Sequence, residues 1–259
     1  MSGEIRAETR NGIRWLRLIG HGERNAMTPA MMRGLGEELR TLGPDIRAVV
    51  IAGAGGDWFC GGGHVGSIDE MSIEQLRTLS LDFIELHRAL RRARTPVIAQ
   101  VDGHVAANGV ALVAACDMAV APAHVEFAMP EINVGLIPLL ATAVLVRHMT
   151  RKAVFEIAYL GRRFSADMAK SYGLLTRVAP DKAACEAQVD EWTRELAQRS
   201  PAALAIGRAT FVAMMNEGID KDMEIAAGNL TALFMSEDVR ATLRGTGGHA
   251  FADKGKAQK

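Results

Sequence analysis

The sequence has few cysteines, no excess of either charge and no long apolar run. Its 259 residues include three cysteines, Cys60, Cys116 and Cys185, without a C-x-x-C pair or a cluster of histidines beside them. An odd number of widely spaced cysteines argues against a disulfide framework and is typical of a reducing compartment. The same pattern argues against structural zinc, so we expect no metal site.

Basic and acidic residues balance at 30 each. This balance argues against a general electrostatic attraction to nucleic acid or to anionic lipid. Four arginines form the one basic cluster in the sequence, and a charge run at a helix end is usually solvated surface. The cluster consists of Arg88, Arg91, Arg92 and Arg94.

Apolar residues do not form a segment that resembles a membrane span or a signal peptide. The longest apolar run, from Val134 to Val146, is interrupted by Gly135, Pro138 and Thr142, and the N-terminus has no apolar core region. We therefore expect a soluble, cytoplasmic protein that has no membrane partner.

Hydrophobic spacing predicts strands alternating with helices, followed by helices alone. Residues 3–19 alternate around Asn11-Gly12, which predicts a β-hairpin. Thr28-Pro29 and Ser72 with Gln75 are typical helix starts. Further strands are predicted at 46–52, 97–101, 118–121 and 125–128. Helices are predicted from 28 to about 43 and at 72–93, 110–115, 139–149, 151–160, 165–172, 181–199, 201–216 and 218–244. This order favours an α/β core with an α-helical C-terminal lobe.

A glycine-rich loop is the most informative local feature. The β-branched run 49–52 ends in glycine, and Gly61-Gly62-Gly63 follows Phe59-Cys60. Glycines in such a loop allow the backbone to approach another group closely. We expect the backbone amides of this loop to contribute to the chemistry.

The loop also fits the dinucleotide pattern G-x-G-x-x-G through Gly61, Gly63 and Gly66. That motif requires glycines directly after a strand and an acidic residue ending a second strand about 20 residues later. Here the glycines are separated from the strand, and Asp82 and Glu85 lie in a helical pattern. The context therefore argues against a nucleotide-phosphate site.

Several motifs in register resemble the crotonase superfamily, also called the enoyl-CoA hydratase/isomerase family. The order and spacing of the matching segments hold across nearly the whole chain. The segments are 24–27, 59–64, 96–117, 127–138, Gly161, 164–166, 173–174, 200–202 and 236–238.

This resemblance implies a spiral of ββα units over residues 1–199 and a helical lobe over 200–259 that assembles homotrimers or dimers of trimers. It implies an acyl-CoA thioester as substrate, with coenzyme A as part of the substrate and no permanently bound cofactor. It also implies an oxyanion hole made by the backbone N–H groups of Gly63 and Asn108. Fixed N–H donors of this kind stabilise a developing enolate oxygen.

Two positions depart from the family pattern. Asn108 stands where we expect glycine, and it either adds a side chain to the site or caps a helix. Ala111 stands at one of the two usual glutamate positions, which leaves Glu131 as the single candidate acid/base. A single carboxylate suits proton transfer between Cα and Cγ, whereas water addition commonly uses two. Without the resemblance, Glu131 is equally a favourable first-turn glutamate.

The remaining site predictions concern substrate and CoA contacts. Arg24 matches a basic position near the CoA phosphates, and Lys254 or Lys256 matches C-terminal lysines that reach a neighbouring subunit's CoA. His64 replaces a frequent aspartate beside the oxyanion amide and is either a substrate contact or an exposed loop histidine. Further contacts are expected at Ala26, Gly61, Gly109 and Ala111.

Four functions remain open from the sequence. Isomerisation of 3-enoyl-CoA to 2-enoyl-CoA and hydration of 2-enoyl-CoA lead, and decarboxylation of a malonyl-type thioester uses the same oxyanion hole. The fourth is a non-catalytic protein that binds acyl-CoA or RNA. Structural roles are expected for His87 on a helix and for His104 in a turn.

Overall fold

A computed structural model of the chain describes residues 3–64, 71–215, 218–235 and 237–246. The strands within this part of the chain are β1 (Glu4–Arg10), β2 (Ile13–Ile19), β3 (Ala48–Ala52), β4 (Trp58–Cys60), β5 (Val97–Gln100), β6 (His104–Ala106), β7 (Met118–Pro122), β8 (Glu126–Ala128), β9 (Arg163–Ser165) and β10 (Arg177–Ala179). The helices are α1 (Pro29–Arg40), α2 (Ile73–Arg92), α3 (Asn108–Ala115), α4 (Leu139–His148), α5 (Arg151–Leu160), α6 (Ala166–Ser171), α7 (Lys182–Ala197), α8 (Pro201–Met215), α9 (Ile219–Met235) and α10 (Glu237–Thr246), with a 3-10 helix at Pro130–Val134.

The strands form two sheets. The larger sheet has the order β1-β2-β3-β5-β7-β10, and the smaller one has the order β4-β6-β8-β9. The hairpin pair β1–β2 and the pair β8–β9 are antiparallel, while the other neighbouring strands are parallel. Each strand β3, β5 and β7 of the larger sheet is followed by a short strand of the smaller sheet and then by a helix. The predicted spiral of ββα units is confirmed.

Strand β3 of the larger sheet is buried on both faces, and its residues alternate between two apolar clusters. Val49 and Ile51 belong to the main core, which also contains residues of α1, α2 and α3. Ala48 and Val50 belong to a second cluster that includes Cys185 of α7. This burial explains why β3 is apolar at all five positions rather than alternating polar and apolar. All three cysteines are buried and free.

The turn and helix-start motifs of the sequence form the local structures that they predicted. Asn11 and Gly12 have φ values of 52° and 74°, as a tight hairpin turn requires. Thr28 Oγ1 accepts a hydrogen bond from the Met31 N–H at 3.3 Å at the start of α1. Ser72 and Gln75 form both hydrogen bonds of a capping box before α2.

Four short strands were not predicted: β4, β6, β9 and β10. His104 was predicted to lie in a turn, but it lies in β6, where its Nδ1 accepts a hydrogen bond from the Glu126 N–H at 3.0 Å. The prediction of a turn there is wrong because three-residue strands are specified by partners distant in sequence rather than by a local pattern. The structural role expected for His104 is supported by this bond.

The C-terminal helices close one side of the spiral. α9 packs against α2 and α4, and α10 packs against the 3-10 helix. The predicted helix over 218–244 corresponds to α9 and α10, with residue 236 outside the described residues. The division of the chain near residue 200 stays a prediction. Among the described helices, none has the length and apolar character needed to cross a bilayer.

Helix α8 is fastened to this body through one buried arginine. The Arg208 guanidinium donates hydrogen bonds to the carbonyl groups of Leu90, Arg91 and Ala93 at 2.8, 3.0 and 2.7 Å. It also pairs with Asp117 at 2.7 Å. These carbonyls lie at the C-terminal end of α2, where a helix leaves carbonyl groups without internal partners.

Candidate active site

The glycine loop is held in place by the segment that precedes α1. The Gly61 N–H donates to the Arg24 carbonyl at 2.8 Å, and a Cβ at Gly61 would lie 2.6 Å from that oxygen. Gly62 has a φ of 106°, and a Cβ there would lie 2.9 Å from the Ala107 Cβ. Close approach and a left-handed backbone therefore both require glycine here.

Gly63 directs its N–H group away from this supporting segment. Gly63 pairs with Met27 in an isolated parallel bridge. The Met27 N–H donates to the Gly62 carbonyl, and the His64 N–H donates to the Met27 carbonyl, each at 2.8 Å. In a parallel bridge of this form, the central residue's own N–H points to the opposite side. Gly63 is exposed and lines a cavity on that side.

Asn108 lines the same cavity. It is the first residue of α3, so its N–H has no acceptor within the helix. The preceding residue, Ala107, has φ 51° and ψ −125°, a conformation that L residues rarely adopt, and its N–H is tied to the Ala128 carbonyl at 2.9 Å. This strained residue connects β6 to the start of α3 at Asn108.

Glu131 reaches the cavity from the 3-10 helix. Pro130 starts that helix and Gly135, with a φ of 79°, ends it, so Glu131 lies in its first turn. Glu131 Oε2 is buried and has no hydrogen-bond partner. Burial raises the pKa of the Glu131 carboxyl to about 7 from an ordinary value near 4.5. Near neutral pH the group is therefore able to accept a proton and to release one.

The cavity that joins these three residues has a volume of about 160 Å³ and mostly apolar walls. Among the described residues that line it, Glu131 is the one carboxylate, and none is a lysine, arginine or histidine. An apolar enclosure strengthens hydrogen bonds from fixed N–H groups to a developing oxyanion. Its apolar side chains are Met32, Leu79, Phe83, Ala107, Leu136, Ile137, Pro138, Leu139, Leu140, Ala141, Leu230 and Phe234.

The other predicted contact residues in the described part of the chain do not line this cavity. Arg24 and Ala26 lie in the segment that supports the glycine loop, and the Arg24 guanidinium lies 5.7 Å from the centre of the Trp58 ring. His64 stacks on His21 with ring centres 3.8 Å apart. Burial and the neighbouring His21 lower the pKa of His64. The expected CoA contacts of Arg24, Ala26, Gly61 and His64 stay predictions.

Gly109 and Ala111 are packed inside the protein. A Cβ at Gly109 would lie 2.6 Å from the Cys60 carbonyl oxygen, so glycine lets α3 approach β4. Ala111 is fully buried in α3. Their contacts with substrate remain predictions, as does that of Lys254, which lies outside the described residues together with Lys256 and Gly66.

Asn25 is a positioning residue that we did not predict. Its side chain is buried and donates to the carbonyls of Leu18 at 3.1 Å and Phe59 at 2.7 Å, while its Oδ1 accepts from the Gly20 N–H. Its φ of 50° is left-handed, which asparagine tolerates better than most residues. Asn25 therefore fixes β4 immediately before the glycine loop. An asparagine shortly before the Thr28-Pro29 helix start was the sequence signal from which this role could have been predicted.

We expect Asn25→Ala to lower the free energy of unfolding by about 2–4 kcal/mol, because it leaves buried backbone groups without partners. Chemical denaturation measures this loss. Glu23→Ala is the matched control on the same loop, since Glu23 is exposed, and we expect a change within about 0.5 kcal/mol. Equal stability of the two variants would show that the Asn25 hydrogen bonds do not support the loop.

Comparison with known proteins identifies the family. The sequence model of the family described as "Enoyl-CoA hydratase/isomerase" matches residues 8–258. The chain belongs to the enoyl-CoA hydratase/isomerase (crotonase) family. It is 34% identical over 210 residues to human enoyl-CoA hydratase domain-containing protein 3, mitochondrial, a match that covers 78% of this chain and 67% of that protein.

Solved structures agree in fold. The enoyl-CoA hydratase of Mycobacterium avium is 30% identical, with a TM-score of 0.80 and coverage of 94% of this chain and 96% of the other. The enoyl-CoA hydratase of Mycobacterium smegmatis is 33% identical, with a TM-score of 0.76 and coverage of 90% and 91%. The α/β crotonase fold expected from the sequence is confirmed. Membership of this family implies an acyl-CoA substrate.

Proposed function

We propose that this crotonase isomerises a 3-enoyl-CoA to the 2-enoyl-CoA through a thioester enolate. The observation that carries this proposal is the single carboxylate of the described cavity lining, Glu131. The position of the second glutamate expected in hydratases is Ala111, which is fully buried. One carboxylate is sufficient to move a proton between two carbons of one substrate.

In the proposed reaction, the thioester oxygen accepts hydrogen bonds from the Gly63 and Asn108 N–H groups. Ionised Glu131 removes a proton from Cα, and the electrons of that C–H bond move into a dienolate whose charge rests on the thioester oxygen. The protonated Glu131 then returns the proton to Cγ, which leaves the double bond between Cα and Cβ. A pKa of about 7 for Glu131 suits both steps near neutral pH.

Two features of this proposal rest on family membership, and the proposed location rests on the sequence. Coenzyme A enters as part of the substrate, because the family typically uses no permanently bound cofactor. The proposed assembly is a homotrimer or a dimer of trimers, supported by the exposed apolar side chains Ile206 and Met214 of α8. Sedimentation equilibrium tests that assembly. The cytoplasmic location remains a prediction, since the name of the human relative includes the word mitochondrial.

The acidic partners of the arginine cluster weaken the RNA-binding alternative. Arg88 pairs with Glu85 at 2.7 Å and with Asp220 and Glu224 at 3.4 Å. Arg91 also pairs with Asp220. Acidic side chains of α2 and α9 therefore offset part of the positive charge that a phosphate backbone would need.

Parallel assays of two substrates test the proposed reaction. We expect the purified protein to convert 3-hexenoyl-CoA to 2-hexenoyl-CoA. We expect it not to hydrate crotonyl-CoA. Ultraviolet absorbance of the conjugated thioester and mass spectrometry follow the two reactions. Hydration of crotonyl-CoA at a comparable rate would contradict the proposal. Release of carbon dioxide from a malonyl-type thioester, with no isomerisation, would favour decarboxylation instead.

A further inference from the structure

Helix α2 separates the cavity of Glu131 from a groove that lies between α1 and α2. Leu79 and Phe83, which are four positions apart and so lie on one side of the helix, line the cavity. Thr78 and Asp82, also four positions apart, line the groove. Leu79 is the one described residue that lines both spaces, and it is half-buried. The boundary between the cavity and the groove therefore lies at Leu79.

The cavity of Glu131 has room for a short acyl group. Its volume is about 160 Å³, and Phe83 and Phe234 of its wall are only 3% and 8% exposed. A cavity of about 150 Å³ with Leu, Ile and Phe walls holds one benzene molecule, which has six carbon atoms. Gly63 and Asn108, the proposed donors to the thioester oxygen, line the same cavity. The thioester carbonyl and the acyl chain must therefore share this volume.

The groove beyond Leu79 is larger, at about 400 Å³, but its walls are polar. Arg33 pairs with Asp82 at 2.5 Å across it. Ser72 and Gln75 exchange the two hydrogen bonds of the capping box. An apolar chain that covered these groups would displace their water without offering a hydrogen bond, which costs free energy. A longer acyl chain therefore gains no binding energy past Leu79.

We propose that Leu79 limits the acyl group of the substrate to about six carbons, so that this crotonase acts on short-chain 3-enoyl-CoA thioesters. The Leu79 side chain determines this specificity because it closes the apolar cavity on the side of the polar groove. The inference rests on the proposed function, which supplies the thioester that occupies the cavity.

Calorimetric binding of saturated acyl-CoA thioesters to the full chain tests this inference. Saturated thioesters have no double bond to shift, so their dissociation constants are measured without turnover. Each buried methylene group tightens binding about threefold to fourfold. In the wild-type protein, hexanoyl-CoA should therefore bind about tenfold more tightly than butyryl-CoA. Octanoyl-CoA and decanoyl-CoA should bind no more tightly than hexanoyl-CoA.

Two substitutions of Leu79 should move this limit in opposite directions. Leu79→Ala removes three carbon atoms from the wall and makes room for about two methylene groups, so octanoyl-CoA should become the tightest ligand, about tenfold tighter than hexanoyl-CoA. Leu79→Phe fills part of the cavity and should weaken hexanoyl-CoA more than butyryl-CoA. Leu81→Ala is the matched control on the same helix, because Leu81 is 56% exposed and lines neither space. It should keep the wild-type dependence on chain length.

The possible outcomes separate this inference from the proposed reaction. Tenfold tighter binding of octanoyl-CoA than of hexanoyl-CoA by the wild type would overturn the inference, as would an unchanged dependence on chain length in both Leu79 variants. Absence of binding by every acyl-CoA would overturn the proposed function together with the inference. The expected dependence in a protein that leaves 3-hexenoyl-CoA unchanged would contradict isomerisation alone and would support the role of Leu79.

Discussion

Replacing Glu131 with glutamine should lower the turnover of a 3-enoyl-CoA by about 10²–10⁴-fold, the usual contribution of a general acid–base group. Glutamine has nearly the same shape but neither accepts nor releases a proton at neutral pH. Stopped-flow or steady-state measurement of 2-enoyl-CoA formation gives the effect. The loss should appear in kcat, because the apolar cavity that holds the acyl group is unchanged.

Glu126→Gln is the matched control for this variant. Glu126 is a half-exposed glutamate close in sequence, and its carboxylate pairs with Arg163 rather than lining the cavity. We expect its turnover to equal that of the wild type. If both glutamine variants retain full turnover, Glu131 does not transfer the proton.

The raised pKa of Glu131 also predicts a pH dependence with a defined sign. Activity requires the ionised carboxylate in the free enzyme, so kcat/KM should rise as pH increases through about 7. Stability should change in the opposite direction, because burial disfavours the ionised form. Relative to wild type, Glu131→Gln should be more stable above pH 7 by about 3 kcal/mol, with a difference that disappears below pH 4.5.

Removal of the Asn108 N–H should lower kcat/KM by about 10²–10³-fold, the typical cost of one oxyanion-hole donor. Asn108→Pro deletes this hydrogen together with the asparagine side chain. Proline is favourable at the first position of a helix, where the missing N–H breaks no helical hydrogen bond. The expected loss therefore reports on the developing negative charge of the thioester oxygen.

Asn108→Gly is the control that separates the backbone N–H from the side chain. It keeps the N–H and restores the residue that we expect at this position, so it should retain most of the activity. Circular dichroism melts of both variants check that proline preserves the fold. Equal activity of the proline and glycine variants, at similar melting temperatures, would exclude the Asn108 N–H from the oxyanion hole.

Local sequence signals predicted the large elements of the fold. The Asn11-Gly12 turn, the Thr28-Pro29 helix start and the Ser72–Gln75 capping box depend on residues that are neighbours in the chain. Such signals survive in any tertiary context that does not oppose them. The apolar run of β3 also predicted a strand, which the structure buries on both faces.

The unpredicted features depend on contacts between residues distant in sequence. Trp58 of β4 pairs with His104 of β6, and three residues are too few for a period to be visible. Asn25 bonds to the Phe59 carbonyl, 34 positions away. His87 has a buried nitrogen, Nε2, that is paired with no described residue, and this is equally invisible in the sequence, since the helical pattern of α2 shows only that the residue faces inward.

The candidate site was predicted through family resemblance more than through local physical chemistry. By sequence alone, Glu131 was a glutamate in a first helical turn. Its raised pKa arises from burial. The cavity that it lines is also lined by Leu136, Leu230 and Phe234, which belong to separate parts of the chain. Enclosure of this kind exists only after the C-terminal helices fold over the spiral.

Deuterium incorporation at Cα of butyryl-CoA tests the central claim, that Glu131 moves a proton at Cα of a thioester held by Gly63 and Asn108. Butyryl-CoA has no double bond to shift, so exchange in D₂O reports the first proton transfer alone. We predict that the wild-type protein incorporates deuterium at Cα, as measured by mass spectrometry, and that Glu131→Gln slows the exchange as strongly as it slows turnover. Bound butyryl-CoA that gains no deuterium, or equal exchange by the two proteins, would contradict the claim.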